Sequence, residues 1–117
     1  MEKILLPPIA IEAKAKPLSY NPQSGEFIYY DKVASGEQKI YPFSRLEKDA
    51  RKILAIKRYQ SAREEMMVST LNGETYTKED IVKEIENETT VGQGFVSLDL
   101  NYLEYYLSTF PKNAFSS

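Results

Sequence analysis

The sequence predicts an α+β fold: an N-terminal β-hairpin or small antiparallel sheet, followed by three helices, the first of them long. Turn residues and β-preferring aromatics concentrate before residue 44, whereas helix caps and apolar residues at helical spacing follow it. A chain of 117 residues predicts a single domain. Within that domain, residues 1–43 are the β-rich part, 44–110 the helical part and 111–117 a frayed tail.

The β-rich part begins with an alternating segment, Ile9 to Ala15, whose apolar and charged side chains would lie on opposite sides of a strand. Asn21-Pro22 then begins a turn that Gly25 ends, and the aromatic segment 26–30 favours a further strand. Together these segments predict a β-hairpin. Residues 37–43 predict a third short strand.

The first helix is predicted from Arg45 to about Val68. Ser44 and Glu47 have the spacing of a capping box, and neither glycine nor proline interrupts the chain before Asn72-Gly73. Such a helix would be roughly 36 Å long. Its apolar residues do not hold one narrow stripe, so we expect it to contact more than one neighbour.

Two shorter helices are predicted after it. Thr77 is a suitable N-cap for a helix that ends near Glu88. The last helix runs from about Val91 to Ser108, and Pro111 prevents it from continuing.

The segment TTVGQGF, residues 89–95, places two glycines one residue apart. No third glycine and no lysine follow them, and a helix precedes them, so the dinucleotide and P-loop motifs are excluded. The segment therefore predicts a joint between two helices, in which the glycines permit close packing. Glu86 and Glu88 nearby would repel an anion.

The composition excludes several kinds of chemistry. The chain contains no histidine, cysteine or tryptophan, which removes imidazole catalysis, thiol nucleophiles and thiolate zinc sites. Asp80, Glu84 and Glu88 form an acidic ladder on one helix, which is more typical of a solvated face than of a metal site. We therefore predict a non-enzymatic protein with no cofactor, no metal and no membrane association, located in the cytoplasm.

Charge is strongly segregated along the chain. Residues 45–63 contain seven basic and two acidic residues, a net charge of +5, whereas residues 64–106 contain ten acids and two lysines, a net charge of −8. Pairing of these charges within the fold is the favoured interpretation. An acidic surface for a basic partner, or charge-complementary self-association, is one alternative, and nucleic-acid binding by the basic helix 45–63 is another. The residues predicted to contact nucleic acid are Arg45, Lys48, Arg51, Lys52 and Arg58.

Aromatic residues form the second candidate surface. Phe and Tyr make up 12% of the chain, and neighbouring members of the clusters FIYY and YLEYY point different ways. An ordinary core with an amphipathic rim is one interpretation, and an interface, where tyrosine is favoured, is the other. The residues predicted to bind a partner are Tyr29, Tyr30, Tyr102, Tyr105 and Tyr106.

These patterns predict a small intracellular protein that acts by protein–protein contact, as a binding partner, inhibitor or assembly subunit, with self-association as an option. Nucleic-acid binding is the alternative. A small-ligand site between the sheet and the helices is a third hypothesis, which no sequence motif supports.

Overall fold

Two short β-hairpins and four α-helices make up residues 3–117, the part of the chain that the computed structural model describes. In chain order these are β1 (Ser19–Asn21), β2 (Glu26–Ile28), α1 (Tyr30–Ala34), α2 (Lys48–Gln60), β3 (Met67–Ser69), β4 (Thr75–Thr77), α3 (Lys78–Glu86) and α4 (Thr90–Leu107). Short 3₁₀ helices lie at Ile11–Ala15, Phe43–Arg45 and Lys112–Ala114. The predicted α+β class is confirmed.

The predicted N-terminal hairpin is present, with shorter strands. β1 and β2 pair antiparallel, with Ser19 opposite Ile28. The Asn21 side chain accepts a hydrogen bond from the Gln23 amide at 2.9 Å, and Gly25 supplies the positive φ of +76° that closes the turn. The second strand ends at Ile28 because the chain turns into α1 from Tyr30.

Two predicted strands are wrong. Residues 11–15 of the alternating segment form a 3₁₀ helix in which no residue is buried. Alanine, lysine and glutamate pack poorly in a sheet, and with no neighbouring strand the alternation confers no advantage. The predicted strand at 37–43 is reduced to a single parallel bridge between Ile40 and Phe115.

The prediction of a long first helix is also wrong at both ends. Residues 43–45 form a 3₁₀ turn, Leu46 is extended, and α2 begins only at Lys48 with Glu47 as its N-cap, so the predicted Ser44 cap is not used. The helix stops at Gln60, giving 13 residues.

A second hairpin replaces the end of that predicted helix. β3 pairs antiparallel with β4, with Val68 opposite Tyr76, around a turn in which Gly73 has φ +89°. An Asn-Gly pair flanked by β-branched residues is a hairpin signal, and in this chain it outweighs the helix-stop interpretation.

The last two helices are confirmed within two residues of their predicted ends. Thr77 and Asp80 form a reciprocal capping box: the Asp80 amide donates to Thr77 Oγ1 at 3.1 Å, and the Thr77 amide donates to Asp80 Oδ2 at 3.0 Å. Thr89 caps α4 by accepting a hydrogen bond from the Gly92 amide at 2.9 Å.

Helix α4 contributes to both hydrophobic clusters of the fold. The larger cluster contains Leu54, Ile40 and Leu103, and the smaller one contains Ile81 and Phe95. The C-terminal residues are not frayed, because Ala114 is fully buried and its carbonyl accepts a hydrogen bond from the Ile40 amide at 2.8 Å.

Candidate functional site

The glycine segment joins α3 to α4, and its two glycines have different roles. A Cβ atom on Gly92 would lie 2.1 Å from the backbone oxygen of Glu84, so only glycine permits this approach of the two helices. A Cβ atom on Gly94 would meet no atom within 4 Å. Gly94 therefore lies on an open side of α4.

Two of the predicted partner-binding tyrosines are tied into the fold. Tyr30 and Tyr106 both pack edge-on against Phe110, with ring centroids 6.5 and 5.0 Å from it. The Tyr30 hydroxyl donates to the carbonyl oxygen of Pro7 at 2.7 Å, and the Tyr106 hydroxyl lies 3.4 Å from the same oxygen. Burial is the main cause that raises the pKa of Tyr106. These two side chains anchor the N-terminal segment.

The other three tyrosines are divided between two places. Tyr29 is half-buried and precedes α1 as its N-cap residue, with no side-chain cap hydrogen bond. Tyr102 and Tyr105 are exposed on α4, on the side turned away from the core. Within the predicted set, Tyr30 and Tyr106 therefore meet at Phe110, whereas Tyr102 and Tyr105 share the exposed side of α4.

The predicted partner-binding set omits the residues that extend this side of α4. The outer face of α4 consists of Val91 (38% exposed), Gly94, Leu98 (65%), Tyr102 (62%) and Tyr105 (73%). These positions recur at intervals of three and four residues, so they form one stripe along the helix. One sequence feature could have indicated this face. Apolar residues surround most of the circumference of α4, which is unusual for a helix with only one buried side.

The predicted nucleic-acid contacts do not share one surface. Arg58 is only 8% exposed: its Nε donates to Asp99 Oδ2 at 2.7 Å, and its Nη1 donates to the Pro17 carbonyl at 2.8 Å. Its guanidinium therefore links α2, α4 and the segment before β1. Arg45 lies outside α2, and its Nη1 donates to the Ser117 carbonyl at 3.2 Å.

The remaining three basic residues, Lys48, Arg51 and Lys52, lie together at the start of α2. They form one edge of a cleft of about 420 Å³ between α2, α3 and α4. Residues that line the cleft include Phe43, Leu46, Ile85, Glu88, Gln93, Val96, Ser97, Leu100 and Asn101.

The acidic ladder has no common function in the structure. Asp80 belongs to the capping box, and its hydrogen bond from the Thr77 amide lowers its pKa. Glu84 Oε1 accepts from the Thr89 hydroxyl at 3.0 Å, and Glu88 faces Lys48 and Lys52. Within residues 3–117, no group of carboxylates is arranged to hold a metal ion.

No protein-family model, curated protein or solved structure matches this chain. No helix in the described part of the chain is long and apolar enough to cross a membrane. The outer face of α4 and the cleft beside it are therefore judged on their geometry and chemistry alone.

Proposed function

We propose that this is a non-enzymatic protein that acts by protein–protein contact, and that its partner is a second copy of itself bound through the outer face of α4. The observation that carries the proposal is that this 18-residue helix is apolar on both sides. One side packs into the core, whereas the other exposes Leu98, Tyr102 and Tyr105. An exposed apolar stripe of this kind is typical of an interaction surface.

A second copy fits the outer face because the face is complementary to itself. Val91 and Tyr105 each lie seven residues from Leu98, and Gly94 and Tyr102 each lie four residues from it. In an antiparallel pair with its twofold axis at Leu98, Val91 meets Tyr105 of the second copy and Gly94 meets Tyr102 of the second copy. The open space beside Gly94 accommodates the tyrosine ring.

The charges on α4 favour the same arrangement. The helix carries no lysine or arginine, and its charged residues are Asp99, paired with Arg58, and Glu104. Neither acid belongs to the outer face. Two copies can therefore approach without burying a charge or bringing like charges together.

The size of the face predicts a weak, reversible dimer. The exposed parts of Tyr102 and Tyr105 supply roughly 200–300 Å² of contact surface in each copy. With Leu98 and Val91 added, the dimer still lies below about 1,200 Å² of total buried surface, the lower limit of stable interfaces. We therefore expect the dimer to form only at high protein concentration, as in transient complexes.

Sedimentation velocity across a concentration series tests the proposal. The natural chain should shift from monomer to dimer as concentration rises, whereas Leu98→Glu should remain monomeric, because the twofold axis would place two carboxylates opposite each other. Ser97→Glu is the matched control, since it adds the same charge one position earlier, outside the outer face.

A charge swap tests the register itself. Leu98→Lys alone should also be monomeric, and mixing it with Leu98→Glu should restore a dimer, because residue 98 faces residue 98 of the second copy. A natural chain that stays monomeric at every concentration would overturn the proposal. A natural dimer that the mixture cannot restore would overturn the register.

Nucleic-acid binding remains the less favoured alternative, since Arg58 is committed to Asp99 and only three of the predicted basic residues lie side by side. Fluorescence anisotropy with labelled DNA and RNA across a salt series tests it: tight binding with a steep salt dependence would favour it. The predicted cytoplasmic location is part of this proposal.

A further inference from the structure

Independently of self-association, we infer that the cleft between α2, α3 and α4 binds a small amphipathic organic anion, with an apolar body and one carboxylate or phosphate group. The cleft volume of about 420 Å³ falls in the range of small-molecule sites, about 300–1,000 Å³.

The floor of the cleft is apolar. It is formed by five side chains: Phe43 and Leu46 before α2, Ile85 in α3, and Val96 and Leu100 in α4. Water over such a surface is readily displaced by an apolar group, and this displacement favours binding of the ligand body. The charged and polar residues lie at the edges, which is the usual arrangement of a ligand site.

Arg51 is held in place as an anion-binding group. Its Nε donates to the Leu46 carbonyl at 2.8 Å, its Nη2 lies 3.4 Å from the Phe43 carbonyl oxygen, and its guanidinium stacks 4.4 Å from the Phe43 ring centroid. These contacts fix the guanidinium while its other N–H groups remain free to donate. A fixed arginine loses little conformational entropy when it binds a carboxylate or phosphate.

Lys48 and Lys52 supply the rest of the positive edge, and the Lys52 ammonium also donates to the Glu86 carbonyl at 3.3 Å. Their Nζ atoms lie 3.8 and 3.9 Å from the Glu88 carboxylate, beyond the usual hydrogen-bond distance of about 2.7–3.2 Å. The two ammonium groups are therefore only loosely neutralised. Three basic residues against one acid leave the cleft edge attractive to an anion.

Glu88 has an unusual backbone conformation for its position. Its φ is +52°, and within residues 3–117 no other non-glycine residue has a positive φ. Glycine or asparagine is commonly found at this position after a helix. In this chain a glutamate places its carboxylate between the two lysines, where it competes with an incoming anion.

The opposite edge offers polar groups in a row. Gln93, Ser97 and Asn101 recur at intervals of four residues along α4, so all three lie on one side of the helix. The side-chain Nε2 of Gln93 donates to the Glu88 backbone carbonyl at 3.3 Å. Ser97 and Asn101 are exposed and can donate to the second oxygen of a bound carboxylate or phosphate.

Titration with anilinonaphthalene sulfonate, an aromatic anion whose fluorescence rises in apolar surroundings, tests the site. Decanoate and decyl phosphate should displace the dye, and whichever displaces it at lower concentration identifies the preferred anion. Decanol, which has the same chain without a charge, should displace it at least about tenfold less effectively, since it lacks the charge-assisted hydrogen bonds.

Variants that remove positive or negative charge from the cleft edge strengthen the test. Lys48→Gln combined with Lys52→Gln should weaken dye binding about tenfold, whereas Glu88→Gly should tighten it about two- to fivefold, because it removes the competing carboxylate. Ser97→Phe should narrow the entrance of the cleft and remove a hydroxyl donor, so it should weaken dye binding.

Leu98→Glu serves as the control that separates the two proposals, since it changes the outer face and leaves the cleft lining intact. It should abolish the dimer and leave dye binding unchanged. Equal displacement by decanol and decanoate, or unchanged binding in the double lysine variant or in Ser97→Phe, would overturn the inference. Loss of dye binding in Leu98→Glu would assign the dye to the outer face and would also overturn it.

Discussion

The Arg58–Asp99 pair should be the most sensitive charged interaction in this protein. Its side chains are 10% and 15% exposed and form two hydrogen bonds, at 2.7 and 3.3 Å. Arg58→Met would leave the Asp99 carboxylate without its cation and the Pro17 carbonyl without its 2.8 Å donor. Removing one partner of a buried pair costs about 3–5 kcal/mol, and we expect about 3 kcal/mol because Asp99 retains some access to water.

Urea unfolding followed by circular dichroism measures this cost. With a denaturant slope of about 2 kcal/mol per molar, a loss of about 3 kcal/mol lowers the unfolding midpoint by roughly 1.5 M urea. Arg63→Met is the matched control: Arg63 makes an equally short 2.7 Å contact with Glu65, but that pair is exposed, so its midpoint should not move.

A double variant tests the reasoning further. Replacing Arg58 with Met and Asp99 with Leu together removes both charges, so it should be less destabilising than either single change. If Arg58→Met and Arg63→Met lowered the midpoint equally, the pair would not behave as a buried one and its role in joining α2 to α4 would be refuted.

Three further predictions concern a helix contact, a buried hydroxyl and a helix cap. Gly92→Ala should destabilise the fold by about 1–3 kcal/mol, because its Cβ would collide with the Glu84 carbonyl. Gly94→Ala should stabilise it by about 0.5–1 kcal/mol, because its Cβ meets no atom and alanine favours the helix. The urea unfolding midpoints of the two variants distinguish these outcomes. Tyr59→Phe should cost about 1 kcal/mol, since the hydroxyl donates to the Phe95 carbonyl at 2.8 Å. Burial raises the pKa of Tyr59, so the folded state keeps this proton above pH about 10, where the unfolded chain loses it. The stabilisation that this raised pKa gives the folded state is therefore full below pH about 10 and declines as pH rises further. In urea unfolding at a series of pH values, the free energy of unfolding should decline less at alkaline pH for Tyr59→Phe than for the natural chain. Thr77→Ala should lower the unfolding free energy by about 1 kcal/mol through loss of the α3 N-cap, measurable by thermal unfolding.

The parts of the fold that the sequence predicted well are those specified by local contacts. Thr77 and Thr89 cap α3 and α4 through hydrogen bonds within three residues, so their spacing in the sequence is sufficient. The β1–β2 turn is likewise specified by Asn21 and Gly25. The predicted start of α2 was wrong although Ser44 and Glu47 have the spacing of a capping box. Phe43 and Leu46 are buried in the core, and this burial favours a 3₁₀ turn and an extended residue before the helix.

The candidate surfaces were harder to predict because they depend on which side of each element is covered. Tyr102 and Tyr106 belong to one aromatic cluster in the sequence, yet Tyr106 meets Phe110 and the N-terminal segment while Tyr102 faces outwards. Arg58 and Lys48 are both cations of one helix, yet Arg58 is buried against Asp99, 41 residues along the chain, and the Pro17 carbonyl, whereas Lys48 is exposed beside Glu88. These pairings come from long-range contacts, which residue spacing alone does not specify.

The buried pair and the two exposed surfaces are mechanically connected through α4. Arg58 holds α4 against α2 at Asp99, next to Leu98 on the outer face and two residues from Ser97 and Asn101 on the cleft side. A change that loosens this contact should therefore affect both surfaces, whereas Leu98→Glu and Ser97→Phe should each affect only one. Loss of both dimer and dye binding in Arg58→Met, together with selective loss in the two surface variants, would therefore assign the surfaces to two adjacent sides of one helix.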